Sequence, residues 1–238
     1  MVFSSLEFLC IFLPTVFLLY TVIPLRRVRN GLLIVFSLVF YAYGEPFYVL
    51  LMIASSLVNY LCALWIGKTE SKKKLPLVIA VVINLGTLVF FKYTGMLVTA
   101  FNALTQLAFP VPAIALPIGI SFYTFQALSY VIDVYRGEVG VQKNYFKVLL
   151  YISFFPQLIA GPIVRYHDIA AQIDNRSQNI TQIAQGLRRF ICGLAKKVLI
   201  ANTMGQAADI IFAQNTSSLG FMSAWVGAVA YLDRKSVV

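Results

Sequence analysis

The chain alternates long apolar runs with short polar gaps, and the first runs have the length of membrane spans. Residues 6–25 are almost wholly apolar, and about 20 such residues in a helix cross a ~30 Å hydrocarbon core. Arg26, Arg27 and Arg29 follow and read as a stop-transfer flank. Glu7 stands where a cleavable signal would carry positive charge, so 6–25 reads as an uncleaved first span. The second run, 31–43, is shorter, and Gly44-Glu45-Pro46 turns the chain sharply after it. Runs at 47–66 and 75–91 are separated by Lys68, Lys72, Lys73 and Lys74. The mixed stretch 94–112 reads as an extramembrane loop with some helix.

Later runs have the same apolarity but not the same regularity. Run 113–134 contains Pro117-Ile118-Gly119, which bends or breaks a helix. Run 146–164 holds Pro156, Gly161 and Pro162. Non-helical backbone at membrane depth survives only where protein or water satisfies it, so a broken or re-entrant helix inside the protein is expected here. Residues 165–185 are polar and belong outside the hydrocarbon. The pattern over 180–203 is helical, with Arg188, Arg189, Lys196 and Lys197 near one face, as in an amphipathic helix lying along the interface. Residues 219–232 begin another span, which Asp233, Arg234 and Lys235 cut below the ~20 residues needed. The expected fold is all-α: a polytopic membrane protein, a multi-helix bundle with broken or re-entrant helices. Residues 1–232 are taken as one membrane domain, the N-terminal part of a longer protein, and 233–238 as a non-native or truncated tail.

Composition agrees with that layout. Of 238 residues, 60% are hydrophobic and only 12% charged, about half the share of a soluble domain. The net charge is +10, from 19 Lys and Arg against 9 Asp and Glu. These cations fill gaps between apolar runs and form no stripe with interleaved aromatics, which argues against nucleic acid. With the N-terminus on the outer face, Arg26, Arg27, Arg29, Lys68, Arg136, Lys143, Lys147 and Arg165 all fall inside, and Lys92 falls outside. A multi-pass membrane protein is the expected setting. Cys10, Cys62 and Cys192 have neither disulfide nor zinc spacing, and with one histidine no metal site is expected.

The polar residues inside apolar runs are the candidates for chemistry. Gln157 and Arg165 lie within or beside the Pro/Gly-broken stretch, and polar groups at that depth must be paired in the protein. Gln157 either satisfies carbonyls freed by the prolines or lines a pore or acyl-donor tunnel. Ser121, Tyr123, Thr124, Gln126, Ser129 and Tyr130 follow the Pro117–Gly119 break and serve as interhelical glue or line a polar funnel. Pro156, Gln157, Gly161, Pro162, Arg165, Ser121 and Gln126 together mark the candidate substrate path. Arg165, Arg188 and Lys196 form a candidate basic rim that attracts an anionic donor. His167, beside Asp168, is a polar loop residue or a general base.

Several long motifs in order carry a family resemblance. They are Met1-Val2-Phe3-Ser4-Ser5, Phe40-Tyr41-Ala42-Tyr43-Gly44-Glu45-Pro46, Leu116 through Gln126, Asp133-Val134-Tyr135-Arg136, Phe154 through Arg165, and Gly186-Leu187-Arg188-Arg189-Phe190 on to Ala201-Asn202. Together they resemble the membrane-bound O-acyltransferase superfamily, on its bacterial alginate O-acetylation branch. The resemblance implies a helical enzyme of a bacterial inner membrane that takes an acyl group from a cytoplasmic donor, such as an acetyl thioester, with no bound cofactor. It passes that group to hydroxyls of an exported, alginate-like polysaccharide, with accessory acetylation proteins as possible partners besides membrane lipid. The family's catalytic histidine lies beyond Val238, and His167 does not match its motif. No catalytic residue is therefore expected in this chain, which alone is expected to be inactive. A transporter or flippase is the alternative, and a membrane scaffold docking a soluble partner is a third.

Overall fold

The computed structural model describes residues 3–69, 73–158, 164–176, 179–214 and 220–236, the backbone alone over 233–236. Among these residues there are helices and no strands. A π-wound turn, Phe8–Phe12, leads into α1, Leu13–Val22, then α2, Arg26–Gly44, α3, Tyr48–Lys68, and α4, Lys74–Thr105. Next come α5, Ile120–Arg136, α6, Tyr145–Ser153, α7, Phe155–Leu158, and α8, Tyr166–Asp174. Then α9, Ile180–Ala195, passes through a second π-wound stretch, Lys196–Ala201, into α10, Asn202–Phe212, and α11, Phe221–Ser236, follows. The chain divides into two compact units, Phe3–Arg176 and Ser177–Val238.

In the first unit α3 packs on α4 and α5, and α2 packs on α6. One core joins Met52, Ala63 and Ile66 of α3 to Tyr130 and Val131 of α5 and Ile152 of α6. A second is aromatic: Phe8, Phe12, Phe40 and Phe155 meet with ring centroids 5.3–6.1 Å apart. The outside of α3 and α4 is apolar and part of the inside is polar. Only 33% and 22% of their most apolar windows are buried, and Leu50, Leu61, Val78 and Val82 face outward. Ser56, Asn59 and Asn84 are turned inward and buried. That is the arrangement of helices whose surrounding solvent is hydrocarbon, and both helices are long and apolar enough to cross a membrane.

Three expectations change. Helix α2 starts at Arg26 rather than at residue 31, so the arginines read as a flank form its first turn. Cations oppose the helix dipole there, but Arg29 Nε donates to the Ile23 carbonyl at 2.5 Å, closing the turn before the helix. The mixed stretch 94–112 is helical up to Thr105, because α4 does not stop at Phe91. Thr87, Thr94, Thr99 and Thr105 each donate to the carbonyl four residues back, so their hydroxyls are satisfied within the helix. At 32 residues α4 is about 48 Å long, well past a ~30 Å core. His167, expected as a loop residue, lies instead in α8 within the polar stretch 165–185.

In the second unit α10 and α11 pack on each other. A Cβ on Gly227 would stand 2.8 Å from Ile211 Cγ2, so the two backbones approach closely at that glycine. No residue of α9 is buried, and α11 stays helical through Asp233–Lys235.

Candidate functional site

The interruption expected in run 146–164 falls at Phe154, where φ −55° and ψ 112° separate α6 from α7. In an unbroken helix the Phe155 N–H would bond the Tyr151 carbonyl, and the next N–H the Ile152 carbonyl. Instead the Phe155 N–H donates to Ser37 Oγ of α2 at 3.2 Å, and Pro156 has no N–H to give. The released Tyr151 carbonyl accepts two side-chain amides: Gln126 Nε2 of α5 at 2.8 Å and Gln157 Nε2 at 2.6 Å. The Tyr151 hydroxyl donates onward to the Val164 carbonyl at 2.8 Å. Ser37, Gln126 and Tyr151 are buried. A broken helix is thus held open by side chains from its neighbours, as burial of its backbone groups requires.

Gly119 completes the arrangement from the N-terminal side of α5. Its φ is +74°, a left-handed conformation, and a Cβ there would lie 2.9 Å from the Leu158 carbonyl oxygen. The Pro117–Gly119 break therefore does not interrupt α5. It sets the start of that helix against α7. One turn further along α5 is Tyr123, and one turn beyond Ser37 on α2 is Tyr41. The hydroxyls of Tyr41, Tyr123 and Ser153 are buried without a well-formed hydrogen bond among the described residues, and those of Tyr41 and Tyr123 lie near enough to interact with each other. Buried hydroxyls rarely stay unpaired, so a polar guest, water or a ligand hydroxyl among them, fits this interior.

The other path residues are placed more plainly. Ser121 is half-buried in the first turn of α5, Pro156 is exposed in α7, and Arg165 is exposed just before α8. Gln157 also lines a cavity of about 220 Å³ with Phe154, Val164, Ile169, Gln172 and Arg176. Gly161 and Pro162 lie outside the described residues. Of the basic rim, Arg165 belongs to the first unit, whereas Arg188 on α9 and Lys196 after it are exposed in the second. His167 is exposed, with Nδ1 3.5 Å from Asp168 Oδ1. The three cysteines are free, and no group of metal-binding side chains occurs among the described residues.

Two polar assemblies lie outside the sequence candidates. Asn59 of α3 and Asn84 of α4 donate to each other's amide oxygen at 3.1 and 2.8 Å. Their location as lone amides inside apolar runs was the available signal. The second assembly joins the start of α2 to the end of α8, 140 and more residues apart, and no local pattern announces it. Arg26 reaches the Asp174 carbonyl and the Asn175 side chain, and Asn30 donates to the Ile173 carbonyl. Arg176 donates to Asn30, while Arg29 and Arg176 both lie over the Tyr20 ring. The carbonyl end of α8 is thereby capped by Arg26 and the Asn30 amide. Its first residue, Tyr166, is a phenol that burial pushes above its ordinary pKa, with the Gln142 amide donating to it pulling the other way.

Comparison with known proteins places this architecture. Residues 138–233 match the model of the membrane-bound O-acyltransferase family. The probable alginate O-acetylase AlgI of Pseudomonas aeruginosa is 40% identical over 97% of this chain and 45% of its own length. That of Azotobacter vinelandii is 40% identical over 97% of this chain and 47% of its own. The peptidoglycan O-acetyltransferase of Helicobacter pylori is 33% identical over 97% and 50%. The chain thus spans about half the length of the curated relatives it matches. No solved structure matches it. The chain is thus similar to the membrane-bound O-acyltransferase family over its later part and to these O-acetylases along nearly all of its length.

Proposed function

We propose that this chain is the front part of a bacterial membrane O-acetyltransferase that moves acetyl groups from an acyl donor to hydroxyls of an exported polysaccharide. The observation that carries this reading is the identity, about 40% along 97% of the chain, to alginate O-acetylases. An acetyl thioester is the donor class we favour, with a multi-pass inner-membrane setting and an outer N-terminus. In this reading the break at Phe154 shapes the route. Gln126 and Gln157 hold it open, Pro156 withholds the N–H that would continue the helix, and Ser121 lies beside it. Exposed Arg165 draws in the anionic donor, with Arg188 and Lys196 adding to the attraction.

The test is transfer of labelled acetyl groups to polymer by membranes containing the full-length protein. Incorporation that depends on the protein is the expected result. Solute uptake with no acetyl transfer would establish the transporter reading instead. Arg165→Ala is expected to lower the transfer rate about tenfold by weakening donor capture, with protein level and melting temperature unchanged. An unaltered rate removes Arg165 from the donor route.

A further inference from the structure

Beside the α2–α8 clasp is a second cavity, of about 540 Å³, between the first turns of α2 and α6. Its polar lining is Arg27, Asn30, Asn144 and Lys147, and its apolar lining includes Ile34 and Phe146. The apolar walls differ in depth: Ile34 is buried, whereas Phe146 is 64% exposed at the rim. The cations differ too. Lys147 pairs with Asp174. Arg26, Arg29 and Arg176 are engaged in the clasp. Arg27 is exposed and has no hydrogen-bond or ion-pair partner among the described residues. Asn144 caps α6 by accepting from the Phe146 N–H at 3.0 Å, which places the positive end of that helix at the same cavity.

We propose that this cavity is a binding site for the headgroup of an anionic membrane phospholipid. A phosphodiester between Arg27 and Lys147 would meet two cations, two side-chain amides and a helix N-terminus, with Asp174 as the one opposing charge on Lys147. A soluble phosphate would use the same cations but not the apolar walls. Acyl chains continue naturally along Ile34 and the exposed Phe146 ring, because the first turns of α2 and α6 lead from the cavity into apolar helix. Basic pockets between membrane helices at the cytoplasmic level take anionic lipids in this way. The site is separate from the break at Phe154, and its occupancy does not depend on which reaction the protein performs.

Native mass spectrometry of the full chain released from detergent, with phosphatidylglycerol or phosphatidylcholine added, tests the site. The expected result is selective retention of one phosphatidylglycerol, reduced about fivefold by Arg27→Gln. Arg27 has no structural partner, and an unchanged elution profile in size exclusion checks that the variant is folded. A parallel reading without any variant is the melting temperature, which phosphatidylglycerol is expected to raise and phosphatidylcholine to leave in place. Equal retention of the two lipids, or selectivity unchanged in Arg27→Gln, overturns the proposal. So does displacement of phosphatidylglycerol by millimolar inorganic phosphate, which would make the site one for a free anion.

Discussion

Gly119→Ala is expected to destabilise the first unit by about 2–4 kcal/mol, a loss readable as a large fall in melting temperature and folded yield in detergent. Two effects add. A Cβ in the left-handed region costs about 1–2 kcal/mol by itself. At φ +74° the new methyl also lies 2.9 Å from the Leu158 carbonyl oxygen, a backbone atom that cannot rotate away. Relief requires α5 or α7 to move, and α7 carries Gln157, one of the two amides that satisfy the Tyr151 carbonyl. Asparagine separates the causes, because it tolerates the left-handed conformation but still brings a Cβ. If contact with Leu158 dominates, Gly119→Asn is nearly as damaging as alanine. If it restores most of the stability, backbone conformation alone explains the requirement. A Gly119→Ala protein that melts like wild type would mean that the α5–α7 junction does not support the break.

How much of this was legible in the sequence depends on the range of the interaction. Helix existence followed from apolar run length, so α1, α3 and α5 fall close to where the pattern put them. Both breaks were legible because proline and glycine act on their own backbone. The way the second break is satisfied was half legible. Gln157 was a candidate partner for carbonyls freed by the prolines, and it bonds a carbonyl freed by the break, that of Tyr151, whose helical partner Phe155 N–H turns to Ser37 instead. Gln126, 25 residues away, shares it, and Ser37, 118 residues away, takes the Phe155 N–H. Pairings at that separation leave no periodic trace. The arginines at 26–29 show the same limit. Charge placed them at a membrane boundary, but the use of Arg26 as a cap for α8 depends on a helix inside a stretch read only as polar.

The reading of Gln126 and Gln157 as path residues is narrowed by their geometry. An amide already donating to a backbone carbonyl at 2.6–2.8 Å is poorly placed to grip a passing substrate with the same N–H. These two act by positioning the break. The hydroxyls without a well-formed hydrogen bond among the described residues are those of Tyr41, Tyr123 and Ser153, the two phenols lying within reach of each other. They have the donor and acceptor capacity that a hydroxyl-bearing guest or a water chain needs. The polar interior thus separates into groups that maintain the irregular backbone and groups that remain available.

Asn59→Leu is expected to destabilise the protein by about 1–2 kcal/mol, and Asn59→Leu with Asn84→Leu by much less. Each asparagine donates one N–H across to its partner and the other to the carbonyl four residues back, Ser55 or Ala80, so the pair is closed on itself. Both residues are almost completely buried, at 0% and 2% exposure. Removing one leaves the other's amide oxygen and cross-helix N–H facing an apolar side chain, with no water to compensate. Removing both replaces a polar contact with an apolar one of similar volume between α3 and α4, which a bilayer-embedded interface accepts. The double-mutant cycle therefore has a large coupling energy of restoring sign. The double variant is also expected to lose the fixed register of α3 against α4, since leucines pack at several offsets and a reciprocal amide pair at only one. A disulfide between cysteines introduced on facing turns of the two helices would then form at additional offsets in the double variant. Additive losses in the cycle, with one offset throughout, would mean that general packing sets the register and the amides contribute only their hydrogen bonds.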